Sequence, residues 1–134
     1  IHKDDSKLVK HANLYIKLFN SDQIIKIPKI DYLLEDNNNL NLNFVEISVI
    51  HTPGHTEGSV CFLILDNLFT GDLLLKNKIG RTDFPGGDLK KVKASIRMLK
   101  ARFEDVNIFP GHFQNTTLRH ELENNKKLIE IINE

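Results

Sequence analysis

The stretch "HTPGHTEGS", residues 51–59, sets two histidines, His51 and His55, four positions apart. On a helix that spacing would stack both imidazoles on one face, as in a zinc-binding HExxH helix. Pro53 and Gly54 exclude a helix here, because proline removes a backbone donor and glycine costs chain entropy. The pair must sit on a turn, where backbone bends aim each side chain.

Working outward, the chain alternates between the helical and the strand period. Residues 5–19, "DSKLVKHANLYIKLF", put Leu8, Ala12, Tyr15 and Phe19 on one stripe and predict an amphipathic helix. Leu40 and Leu42 alternate with Asn, whereas Val45, Ile47 and Val49 follow the opposite parity. That switch predicts two strands joined by a tight turn at Asn43 and Phe44, or one strand with a bulge. The runs "SVCFLIL" and "NLFTGD", separated by Asp66 and Asn67, predict a hairpin. Residues 88–103 carry Leu89, Val92, Ile96, Leu99 and Phe103 at helical spacing, with Asp88 placed as cap. "VNIFPGH" reads as a short strand broken at Pro110 and Gly111, and "TTLRHELENNKKLIEIINE" as a closing helix. Neither a repeat nor a linker divides the 134 residues, which predicts a single domain over 1–134.

Composition narrows the function. Eighteen basic residues balance eighteen acidic ones, so no charge footprint for nucleic acid or an anionic membrane is present. The longest apolar runs, such as "VCFLIL", are too short to span a bilayer. A single cysteine excludes an internal disulfide framework and points to a reducing, intracellular compartment. The chain opens at Ile1 without an initiator methionine, so a targeting segment is not observable.

Three potential metal ligands stand at corresponding places. His55 follows "TPG", Asp72 follows "TG" and His112 follows "PG", each just past an apolar strand and a glycine-containing bend. If the three strands end at one edge of a sheet, two imidazoles and a carboxylate converge, a donor set suited to a divalent metal.

The motifs "HTPGHTEGS", "FTGDLL", "GRTDFPGGD" and "IFPGH", in that order, resemble the later motifs of metallo-β-lactamase-fold hydrolases, above all the short glyoxalase II-like hydroxyacylglutathione hydrolases. The resemblance runs from "IHKDD" to "NTTLRHELENN". It implies an α+β (α/β) fold, part of an αββα sandwich with a mixed β-sheet and helices on its outer face. It also implies two divalent ions, zinc first and iron or manganese as alternatives. His55 matches the third histidine of the first metal site, Asp72 the bridging aspartate, and His112 a histidine of the second. A carboxylate suits bridging because each oxygen can meet one cation. The implied reaction is attack by metal-bound hydroxide on a thioester such as a glutathione conjugate, with Asp72 as the catalytic carboxylate.

The family's first signature, HxHxDH, is not in this sequence; "HKDD" at His2–Asp5 is its nearest imitation, with Asp4 where a second histidine is required. The resemblance places the signature upstream of Ile1 and makes the chain the C-terminal portion of the fold. Weak metal binding and little turnover follow for this piece. An apolar face left by the missing segment would be exposed or would pair with another copy of the chain.

Other polar residues read more simply. His51 braces the turn, His11 and His120 are solvated, and Cys61 is an inert thiol inside a strand. Arg81 has two readings: it pairs with Asp83, or its guanidinium binds a carboxylate of a glutathione-like substrate. Two further functions are weighed against the thioesterase: a mononuclear-iron persulfide dioxygenase, which shares a "GRTDF"-like loop, and a non-catalytic degenerate domain.

Overall fold

The parity switch at residues 40–49 marks a two-residue turn. β1 (Asn39–Leu42) and β2 (Val45–His51) pair antiparallel with Leu42 opposite Val45 and Leu40 opposite Ile47. Asn43 takes φ 57°, as such a turn demands, and Phe44 projects fully into solvent. In the computed structural model, which describes residues 1–19 and 22–133, this hairpin opens a six-stranded mixed sheet. β3 (Val60–Ile64) and β4 (Asn67–Gly71) form the second predicted hairpin. Its turn falls one residue earlier than the sequence suggests: Asn67 already pairs with Ile64, and Leu65 adopts φ 54° beside Asp66.

After β4 come two short strands, β5 (Leu74–Leu75) and β6 (Lys78–Ile79), then helix α3 (Leu89–Arg102). The chain re-enters the sheet as β7 (Asn107–Pro110), parallel to β4, and β8 (Thr116–Thr117) pairs antiparallel with β7. Asp88 caps α3 by accepting from the Lys90 and Lys91 amides. Val92, Ile96 and Leu99 are fully buried, whereas Leu89, also on the predicted stripe, is exposed.

Two predicted helices are broken. The N-terminal one divides into α1 (Ser6–Lys10) and α2 (Ala12–Leu18) at His11, whose Nδ1 lies 2.8 Å from the Lys7 carbonyl oxygen. The closing one divides into α4 (Leu118–Asn124) and α5 (Lys126–Asn133) at Asn125. Asn125 is fully buried; its Nδ2 donates to the Lys78 carbonyl and to Glu121 Oε2, and its Oδ1 accepts from the Leu128 amide. Those bonds hold a non-helical backbone and join the C-terminal helices to β6.

The core lies between the sheet and the α3/α5 layer. Ile50, Cys61, Leu68 and Ile108 meet Val92, Ile96, Leu99, Leu128 and Ile131 there. The opposite sheet face is apolar as well. Register places Leu40, Leu42, Val45, Ile47, Phe62, Ile64, Phe69 and Phe109 on it. The N-terminal segment covers its β2 end, where the His2 ring stacks on His51 at 4.1 Å. Further along, Leu42 and Phe69 remain 62% and 40% exposed. Among the described residues no helix is long and apolar enough to cross a membrane.

Candidate metal centre

Strand direction brings the three candidate ligands together. β2 is antiparallel to β3, β3 is antiparallel to β4, and β4 is parallel to β7, so β2, β4 and β7 all run the same way. Their C-terminal ends emerge at one sheet edge, and His55, Asp72 and His112 follow those ends. His55 Nε2 lies 3.6 Å and His112 Nε2 3.5 Å from the same Asp72 oxygen, Oδ2. His55 and His112, 57 positions apart in the chain, thus flank one carboxylate oxygen.

Each loop is fixed by the local sequence. In the "TPG" turn Gly54 has φ 144°, and a Cβ there would come within 2.4 Å of Val92, so only glycine lets the turn lie against α3. The Gly54 carbonyl accepts from the Asp88 amide and the Pro53 carbonyl from the Ser95 hydroxyl, both at 2.8 Å. The His112 loop approaches Asp72 through Gly111, where a Cβ would stand 2.6 Å from Asp72 Oδ1. The Gly111 amide donates to the Gly71 carbonyl at 2.7 Å, tying the second loop to the third.

These residues fit a cation. His55 Nδ1 is 2.8 Å from the Arg81 carbonyl oxygen, which can only accept, so that nitrogen carries the proton in the neutral ring. The Nε2 lone pair then faces Asp72 Oδ2, an acceptor set against an acceptor. A bridging cation resolves that arrangement, and a backbone carbonyl behind a histidine is the usual support for a ligating imidazole. His112 is the open member, its side chain 69% exposed against 23% for His55.

The Arg81 side chain is engaged locally. Its Nε and a terminal nitrogen donate to the two Asp83 oxygens at 2.8 and 2.7 Å, and its guanidinium lies 3.7 Å over the Phe84 ring. These hydrogen bonds raise the Arg81 pKa and hold the Asp83 carboxyl down at about 2. The Arg81 contact with His55 is made by its backbone carbonyl.

Sequence reasoning missed one positioning residue, Asp5. Its oxygens accept from the Thr56 hydroxyl at 2.6 Å and the Gly58 amide at 2.7 Å, pinning the His55 loop to the N-terminal segment. No local signal could reveal a partner 51 positions away. His51 braces the loop as expected, its Nε2 2.8 Å from the Glu57 carbonyl oxygen. His11 is exposed, but His120 is not a solvated residue: it is half-buried, and its Nε2 has neither solvent nor a hydrogen-bond partner. Among the described residues, the group of three whose donor atoms all lie within 4.8 Å of one another, and which could hold a metal ion, is a different one: His2 and Asp4 of the "HKDD" segment with His51. His2 is buried there and its pKa is lowered, first by loss of solvent and then by the charge of His51.

Comparison with known proteins gives the family of this fold. The family model for the metallo-beta-lactamase superfamily matches residues 7–112, ending on the last of the three ligand candidates. The hydroxyacylglutathione hydrolase GloC of Haemophilus influenzae is 36% identical over 125 residues, covering 87% of this chain and 59% of that protein. Among solved structures, TTHA1623 in a di-iron-bound form superposes with a TM-score of 0.81 at 33% identity, over 96% of this chain and 63% of that one. The BLEG-1 B3 metallo-beta-lactamase gives 0.83 at 32%, with the same two coverages. The chain thus spans about three fifths of the length of these relatives. The matched span and the shared mixed α/β architecture lead to one assignment: the chain belongs to the metallo-beta-lactamase superfamily.

Proposed function

We propose that His55, Asp72 and His112 are ligands of a dinuclear metallohydrolase centre and that the reaction is hydrolysis of a thioester such as an acylated glutathione. The observation that carries this reading is the single Asp72 oxygen flanked by two imidazole nitrogens, with His55 held from behind by the Arg81 carbonyl. The name of the Haemophilus relative supports the substrate class, and the di-iron form of TTHA1623 supports two cations. Zinc suits the nitrogen and carboxylate donors, as do iron and manganese. When bound, such cations supply Lewis-acid polarisation of the acyl carbonyl and a water acidic enough to attack near neutral pH.

The residues of this chain orient and hold. Asp72 presents its two oxygens from a rigid strand end, His55 is locked in one tautomer, and exposed His112 leaves the side by which substrate enters. Three donors fall short of the four or more that such ions take. In the family the HxHxDH signature supplies the others, and the proposed reaction is assigned to a polypeptide that carries both sets of donors.

Metal analysis combined with S-lactoylglutathione hydrolysis tests this on the HxHxDH-containing polypeptide. Asp72→Ala should release bound metal and lower kcat/KM by more than about 100-fold, beyond the loss typical of an outer-shell change. A variant that keeps both metal and rate overturns the assignment. Iron-dependent oxygen uptake with glutathione persulfide, without hydrolysis, overturns the reaction class.

A further inference from the structure

A cavity of about 290 Å³ opens beside His55. One part of its lining is the stripe Leu8, Ala12, Tyr15 and Phe19 of the N-terminal helices, and another is Phe84 and Pro85 of the Arg81 loop. Phe19 and Phe84 meet edge to face at 5.5 Å, joining the two parts. The stripe is thus not spent on the α3/α5 core, whose members lie elsewhere.

Three of the polar groups around the cavity already have partners. The Thr56 hydroxyl donates to Asp5, His55 Nδ1 is held by the Arg81 carbonyl, and the Arg81 fork is closed on Asp83 with its face against Phe84. A thiol carrier such as glutathione, with two carboxylates, meets no cation among the lining residues, and burying an unpaired charge is costly.

We infer that this cavity receives the acyl group of the thioester, and that this group is an apolar alkyl or aryl chain whose polar carrier stays outside. The inference rests on the hydrolase reading above, because His55 is both a cavity residue and a proposed ligand. At roughly 30 Å³ per water-sized unit, the volume accommodates a group of about six to nine non-hydrogen atoms. Each methylene buried there should improve binding about threefold to fourfold.

The test uses the metal-loaded, HxHxDH-containing polypeptide and a series of acyl esters of one thiol: acetyl, lactoyl, butanoyl, hexanoyl and octanoyl. We expect kcat/KM to rise by at least tenfold from acetyl to hexanoyl. Ala12→Phe, which fills the cavity, should lower the hexanoyl-to-acetyl ratio by tenfold or more. Calorimetry with ketones in which a methylene replaces the thioester sulfur gives a readout without turnover, and their affinities in metal-free protein should follow the same order. Hydrolysis with a flat chain-length profile, or with lactoyl preferred, overturns the cavity assignment and leaves the hydrolase reading standing. If no thioester is cleaved by metal-replete protein, the hydrolase reading fails, and ketone affinities without chain-length order then reject the cavity as an apolar subsite too. Should Ala12→Phe not fold, the unmodified protein's acyl and ketone series decide alone.

Discussion

Cys61 sits in β3 with no solvent exposure and its sulfur 3.3 Å from the Thr52 hydroxyl. Burial pushes its thiol up from 9.0 to about 12, the Thr52 contact opposing only in part. A native thiol raised in this way retains its proton when the unfolded chain has lost it. Its contribution to stability is therefore complete below pH 9 and is lost as pH climbs toward 12. Urea midpoints should fall across that alkaline range, and Cys61→Ala should flatten the decline. A shift of this size leaves about a thousandfold less thiolate at a given pH, so iodoacetamide should label the native protein far more slowly than the urea-unfolded one. Equal labelling rates would refute the buried placement. His2 acts in the other direction: its lowered pKa means that protonation opposes folding, so its share of stability is present above about 6.5 and fades as acid is added.

At the scale of elements, the joint between α4, α5 and the β5/β6 pair depends on Glu121. This fully buried carboxyl accepts from the Thr116 hydroxyl, the Asn77 amide and the Asn125 side chain, at 2.7, 2.8 and 2.8 Å. Glu121→Ala would remove an acceptor shared by three donors, one of them on the fully buried Asn125, and we expect a loss of about 2 kcal/mol in equilibrium unfolding. A change below about 1 kcal/mol would mean that water replaces the carboxyl. The same joint explains what could be read from the chain in advance. The β1/β2 hairpin and α3 were legible because parity and helical period are local, and Asp88 announced its cap. The break at Asn125 was not, because its partner Lys78 lies 47 positions away and the intervening polar letters fit a continuous helix. β5, β6 and β8, of two residues each, are too short to show a period. The candidate ligands were legible because each stands just past a glycine bend at a strand end. The Asp5 anchor and the half-buried His120 carried no such mark.

For the whole molecule, the decisive property is a sheet apolar on both faces with a helical layer on one. The uncovered part around Leu40, Ile47, Phe62, Ile64 and Phe69 encloses a hollow of about 310 Å³. Sheets of this composition are ordinarily covered on both sides. We therefore expect the 134-residue chain, produced by itself, to self-associate through this face. Light scattering should give a mass above 15.4 kDa that falls toward the monomer in Phe69→Lys. A monodisperse monomer in the unmodified chain would contradict this.

The common heading of β2, β4 and β7 has a practical corollary. The tight turns at Asn43–Phe44 and Leu65–Asp66 precede β2 and β4, so they occupy the far rim from Asp72. A fluorophore or an immobilisation tag grafted at Phe44 or Leu65, both already in solvent, would report on or tether the protein without entering the ligand loops. That rim is the natural handle for surface-based binding measurements.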